Sequence, residues 1–377
     1  MRFFSVLIGL ATVLFLLVLL SFKSFELNEL STVDADSLRK WYAQPSSKWP
    51  KPTIDNGVKY EELSALPKLP FKIDAKRAAL GKLLFFDRRL SAADDISCSS
   101  CHQPNLNWTD GLPVSVGHNK AVNTRNSPTI ENVWFYTQLF WDGRAKNLEE
   151  QAQIPLTSEI EMHQDMRILP KKLAKIKGYL PLFRAAFGSN VVTSERIVKS
   201  LADFQRTVVS APSTFDRFLA GDSNSLTDEQ LKGLHLFRTK ARCMNCHNGA
   251  LFTDNGFHNL GLSNYGQKNQ DLGLYQTTKN PDDVGKFKTP SLRGVMFTGP
   301  WFHDGSVSSI DSLMLLYNMG MPFPAVTMAQ LNDPLLPKSD RLLRGIRLSK
   351  SELNALVAFL GAISTKSTPI ESPKLPK

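Results

Sequence analysis

An all-α fold is predicted for this 377-residue chain: two helical units of one plan with long loops, preceded by an apolar N-terminal segment. Three observations predict it. The pentapeptide Cys-x-x-Cys-His occurs twice, as Cys98-Ser99-Ser100-Cys101-His102 and as Cys243-Met244-Asn245-Cys246-His247, and together the two copies use all 4 cysteines. Each copy follows a stretch with apolar residues at helical spacing. Strand signals are sparse, and Gly and Pro punctuate long connections.

The elements follow in order. Residues 3–22 form an uncharged apolar run between Arg2 and Lys23. A bilayer takes about 20 such residues, so this run is long enough to span one. Ser21-Phe22-Lys23-Ser24-Phe25 is a poor cleavage site, which favours an uncleaved anchor over residues 1–25 against a removed signal peptide. Residues 26–73, with Pro45, Pro50, Pro52, Pro67 and Pro70, read as a tether and irregular wrap. From Asp74 the pattern turns helical through Ala79, Leu80, Leu83, Leu84 and Phe85, and leads to the first pentapeptide. That unit spans 74–222. In the second unit, 223–365, Thr227 and Gln230 form a capping box ahead of Leu231, Leu234, Leu236 and Phe237. Ser349 and Glu352 cap a last helix whose Leu353, Leu356, Val357 and Leu360 make an apolar stripe for core packing. Residues 366–377 are a tail.

The pentapeptide is the attachment signature of c-type haem. Two thiols add to the vinyl groups, and the adjacent His turns its imidazole onto the iron. Neither copy has extra Cys or His nearby to complete a zinc site. A dithiol oxidoreductase would not need a His after each second Cys. Two covalent haems are therefore expected, with His102 and His247 as proximal ligands. Helix, haem motif, long loops and terminal helix make the layout of a small cytochrome c domain, here present twice. The haem, not a sheet, fills such a core.

The formal net charge is +10, which the propionates of two haems partly offset. The remainder suits an acidic electron donor or anionic lipid headgroups. A solvated basic surface explains lysine clusters such as Lys171, Lys172, Lys175 and Lys177 more simply. Nothing in the pattern points to nucleic-acid recognition.

From about residue 80 to 364 the chain resembles the bacterial di-haem cytochrome c peroxidases and MauG. The motifs that carry the resemblance include Leu80-Gly81-Lys82-Leu83-Leu84-Phe85-Phe86-Asp87, Arg125-Asn126-Ser127-Pro128-Thr129, Phe140-Trp141-Asp142-Gly143-Arg144, Leu148-Glu149-Glu150-Gln151-Ala152, Thr289-Pro290-Ser291-Leu292-Arg293 and Phe302-His303-Asp304-Gly305. The resemblance implies that peroxide reacts at the haem of His102, while the haem of His247 relays electrons. It implies that Trp141 lies between the two haems. It matches Asn126, Thr298 and Pro300 to groups that hold a calcium ion between the units, and neutral oxygens of that kind suit calcium. Gln151 and Glu161 match distal residues over the reactive haem, with Pro155 between them expected to break the helix that starts near Asn147. Peroxide cleavage needs a base that takes a proton from one oxygen and returns it to the other. Glu159 is a rival, but the step to Met162 favours Glu161. The resemblance also places the haems in the periplasm, tethered by the N-terminal helix, or soluble there if that segment is cleaved. It implies a c-type cytochrome or cupredoxin as electron donor and is compatible with a homodimer.

The sixth ligand of the second haem separates two branches. Peroxidases place a Met there and MauG a Tyr; the matching position is Tyr317, with Met319 and Met321 as rivals. A thioether favours ferrous iron, whereas a phenolate favours ferric or higher iron. His118 matches the removable distal ligand of many di-haem peroxidases, and its simpler reading is an exposed loop His. His163, His235 and His258 are expected at the surface or in packing and hydrogen bonding. The expected activity is reduction of hydrogen peroxide to water. The alternatives are a MauG-like enzyme that uses peroxide and high-valent iron to oxidise Trp or Tyr side chains of a partner protein, and a non-catalytic electron-transfer cytochrome.

Overall fold

Asp74 caps the helix that precedes the first pentapeptide: its side chain accepts from the N–H groups of Lys76 and Arg77. Two of the orphan donors of the first turn are thereby satisfied. The computed structural model describes residues 33–322 and 326–377. In chain order, the helices longer than one turn are α1 (Ala35–Tyr42), α2 (Ala75–Phe86), α3 (Leu148–Thr157), α4 (Leu169–Ala174), α5 (Tyr179–Phe187), α6 (Ser194–Arg206), α7 (Thr214–Leu219), α8 (Asp228–Arg238), α9 (Ile310–Met319) and α10 (Lys350–Ala362). Two short strands, β1 (Phe257–His258) and β2 (Phe287–Lys288), pair antiparallel with Phe257 opposite Lys288. The apolar run at 3–22 lies outside the described residues. Among the described residues no helix is long and apolar enough to cross a membrane.

The buried apolar side chains form two clusters. In the first, α2 packs on α6 and brings Leu80, Leu84 and Phe85 against Ile197, Leu201 and Phe204. In the second, α8 packs on α10 and brings Leu231, Leu234 and Phe237 against Leu356 and Phe359. Full burial of one such side chain contributes roughly 1.5–3 kcal/mol. The two crossings share one device. A Cβ on Gly81 would stand 1.8 Å from the Ser200 carbonyl oxygen, and one on Gly233 would stand 2.0 Å from that of Ala355. Only glycine lets the backbones approach so closely. The capping boxes Thr227–Gln230 and Ser349–Glu352 start α8 and α10 as expected.

Four features differ from the sequence reading or extend it. The segment expected to wrap irregularly contains α1, capped by Asp34, and its Leu38 and Tyr42 are buried in the second cluster with Trp49 and Leu63. An apolar face this short does not stand out in a polar stretch. Phe215 and Phe218 on α7 also pack in the second cluster, ahead of residue 222. Pro155 does not break α3, which continues to Thr157. Proline lacks an N–H and leaves the carbonyl four residues earlier without its helical partner. In the last turn the helix ends before the kink can propagate. Finally, the tail crosses back to the first cluster. Asn107 Nδ2 donates to the Thr365 carbonyl at 2.9 Å, Ser367 Oγ donates to Glu131, and Ile370 packs against the first core.

Candidate active site

Each pentapeptide turns tightly enough to present its His to one shared space. The His102 N–H donates to the Cys98 carbonyl at 3.0 Å, and the His247 N–H to that of Cys243 at 2.8 Å. His102 Nδ1 pairs with the Trp108 carbonyl at 3.0 Å and His247 Nδ1 with the Phe252 carbonyl at 2.9 Å. A carbonyl partner places the ring proton on Nδ1 and leaves Nε2 free to bind a metal. Burial holds both imidazoles below their ordinary range, in the neutral form that ligates iron. Both histidines and all four cysteines line one cavity of about 960 Å³. Burial pushes the Cys98 and Cys243 thiols up to about 12, the opposite of the depressed values of reactive dithiols. The cavity, the paired thiols and the two oriented imidazoles fit two covalently bound haems.

Above the first pentapeptide, Gln151 and Pro155 from α3 and Glu161 from the following loop line the cavity. Glu161 Oε1 accepts from Asn123 Nδ2 at 2.7 Å, and the Glu161 carbonyl accepts from the His118 N–H at 2.8 Å. A Cβ on Gly117 would stand 2.0 Å from the Ile160 carbonyl oxygen, so the strip carrying Asn123 lies directly on the loop carrying Glu161. Glu159 is exposed and is not part of the cavity wall. Nor is His118. Its ring stacks on that of exposed His163, with centroids 4.8 Å apart and 15° between planes, and its Nδ1 is buried without a partner.

Beside the second pentapeptide, Tyr317 on α9 lines the cavity. Burial, reinforced by the Cys246 and Cys243 thiols, pushes its phenol above the ordinary range. A phenolate there needs a cation to offset the lost hydration, which a ferric iron supplies. Met319 is 67% exposed, and Met321 is buried but off the cavity wall. Met314, one turn before Tyr317 on the same helix, does line the cavity and was not among the sequence rivals. Its i, i+3 relation to Tyr317 was the available signal. His235 Nδ1 pairs with the Tyr42 hydroxyl at 3.0 Å. His258 sits between Asp340 and Asp254, at 2.5 and 2.8 Å. These carboxylates overcome the effect of burial and push His258 up to about 12, so both its ring nitrogens are occupied as donors.

Trp141 lines the same cavity. Its Nε1 donates to the Asn126 carbonyl at 3.0 Å, and its own carbonyl accepts from the Lys288 N–H at 2.8 Å. Asn126 Nδ2 donates to the carbonyls of Leu112 and Pro113 at 2.9 and 3.1 Å. This leaves its Oδ1 as an acceptor on a wall shared with Thr298 and Pro300. Asn123 and Lys288 were not singled out by the sequence reading. Asn123 is 38 residues from its Glu161 partner, and no local pattern links the two.

Two Cys-x-x-Cys-His turns on one cavity, with a carboxylate over the first, define a di-haem oxidoreductase. The model for di-haem cytochrome c peroxidase matches residues 75–224. The methylamine utilization protein MauG of Methylophilus methylotrophus is 35% identical over 326 residues, covering 85% of this chain and 92% of that one. The cytochrome-c peroxidase IdrP1 of Denitromonas iodatirespirans is 36% identical over 353 residues, covering 85% and 91%. Among solved structures, a MauG-like protein associated with microbial copper homeostasis superposes with a TM-score of 0.71 at 30% identity, covering 83% of this chain and 95% of that one. The chain belongs to the di-haem cytochrome c peroxidase and MauG family, and it is an oxidoreductase. Membership implies two haems c.

Proposed function

We propose that this protein reduces hydrogen peroxide to water at the site carried by His102. The observation that supports it most is Glu161 on the cavity wall, held by Asn123 beside Gln151. Haem iron, when bound, supplies the site where peroxide is held and reduced. Glu161 takes the proton from the peroxide oxygen nearer the iron and returns it to the leaving oxygen. Gln151 orients peroxide through its amide, and the apolar wall around it limits competing water. Each peroxide consumes two electrons and two protons and yields two waters. The electrons come from a small c-type cytochrome or cupredoxin at the His247 side, and Trp141 spans the path between. Asn126, Thr298 and Pro300 hold a calcium ion that fixes the ends of this path. The protein works in the periplasm, anchored by residues 1–25. A purely electron-transferring role leaves Glu161 and Gln151 without a task.

The test is peroxide turnover with a reduced small c-type cytochrome. Glu161→Gln is expected to keep both haems and slow turnover by ~10²-fold or more, the scale of a positioned acid–base group. Glu159→Gln is expected to leave it unchanged. Near wild-type turnover by Glu161→Gln sinks the assignment. The placement of Tyr317 on the cavity wall favours a second reading, in which peroxide drives oxidation of Trp or Tyr side chains on a partner protein. Failure of the reduced cytochrome to support turnover, while peroxide still changes the haem spectrum, favours that reading.

A further inference from the structure

Lys288 carries a buried ammonium that forms no ion pair among the described residues. The residue is 7% exposed and lies on the cavity wall. Its Nζ donates to Asn255 Oδ1 at 3.1 Å and stands 4.3 Å from the centre of the Tyr136 ring. Among the described residues no carboxylate comes within 4.0 Å of it. An ammonium has three donors, and here one neutral amide and an aromatic face serve them. The other deeply buried cations are paired. Arg293 binds Asp216, Arg125 binds Asp142 and Asp271, and Arg238 binds Glu62. Burial pushes the Lys288 ammonium down to about 8, and the Asp254 carboxylate, beyond ion-pair distance, only partly opposes the shift. An unpaired buried charge is costly, and the usual remedy is an anion at hydrogen-bond distance.

The surroundings say which anion fits. Asn255, which receives the ammonium, follows Phe252 by three residues, and the Phe252 carbonyl orients His247. The Lys288 backbone N–H holds the Trp141 carbonyl. The ammonium therefore sits on the second pentapeptide's part of the cavity, next to Trp141. We propose that Lys288 is a positioning residue that pairs with a propionate of the haem on His247 and sets the potential of that haem. The inference rests on the two-haem reading. A fixed positive charge near an iron disfavours its ferric state, so Lys288 raises the potential of the relay haem.

The experiment is an EPR-monitored redox titration of the full-length holoprotein, which separates the two irons, with haem content counted by pyridine haemochrome. In K288M, with two haems bound, the ferric/ferrous ratio of the second haem is expected to rise at least tenfold at fixed ambient potential. That corresponds to ~59 mV for one electron. K288Q, which keeps a polar head without charge, is expected to shift equally. K288R is expected to stay within a few-fold of the wild type, and the first haem is expected not to move. An unmoved second haem in K288M and K288Q, a K288R shift as large as that of K288M, or a shift confined to the first haem overturns the proposal. Fewer than two haems in the wild-type protein overturns the two-haem reading itself.

Discussion

Tyr317 is the residue on which the proposed chemistry of the second site turns. Its phenol is buried beside the Cys243 and Cys246 sulfurs, where the neutral form is favoured. A ferric iron bound there would reverse the balance, because a metal charge stabilises the anion it binds. As a phenolate ligand, Tyr317 would hold such an iron oxidised. Tyr317→Phe is expected to change the spectrum of the second haem and raise its potential. Met319→Leu and Met321→Leu are expected to change neither, since one residue is 67% exposed and neither lines the cavity. The contrary result is an unchanged Tyr317→Phe spectrum together with an altered Met314→Leu spectrum. The ligand would then be a thioether supplied from one turn earlier, and the second site would be that of a reductively driven peroxidase.

At the scale of elements, the two helix crossings position everything else. α2 and α8 each deliver the chain to a pentapeptide, and each touches its partner helix through a glycine. Gly→Ala in a helix interior ordinarily stabilises by about 1 kcal/mol. At Gly81 and Gly233 the added Cβ meets a partner carbonyl at 1.8 and 2.0 Å, so the helices must separate. Overpacking of this kind costs ~1–3 kcal/mol or more. Gly81→Ala and Gly233→Ala are expected to lower the melting temperature of the holoprotein. Gly361→Ala on α10, where a Cβ meets nothing within 4 Å, is expected to raise it. A neutral or stabilising Gly233→Ala contradicts the close crossing.

Across the whole molecule, the tail beyond α10 ties the second cluster back to the first. Glu131 lies at that seam. One of its oxygens accepts from Ser367, and the other is buried without a partner. Burial raises its pKa, while the Ser367 bond only partly opposes the shift. A carboxyl raised in the folded state keeps its proton where the unfolded chain has released it. Stability is therefore untouched below the ordinary carboxylate value of about 4.3 and falls as pH rises from there through the folded value. Glu131→Gln keeps an acceptor for Ser367 and removes the ionisation. It is expected to raise the melting temperature at pH 7–8 and leave it nearly unchanged at pH 4. An equal effect at both pH values shows that the carboxyl is not held protonated at the seam.

The five contiguous residues of each pentapeptide carry their own chemistry, so the two haems c that family membership implies were legible without a structure. The helix starts at Asp74, Thr227 and Ser349 were legible for the same reason, because a cap and its partner lie within three residues. Family motifs pointed further, to Gln151, Glu161 and Trp141. Other features depended on segments far apart in the chain. Asn123 reaches Glu161 across 38 residues, and Lys288 meets Asn255 across 33. Packing turned His118 onto His163 and away from the cavity wall, and helix phase placed Met314 rather than Met319 beside Tyr317. The tertiary structure alone decided these, because burial and orientation are set by which distant surfaces close on each other, and no short-range pattern encodes that closure.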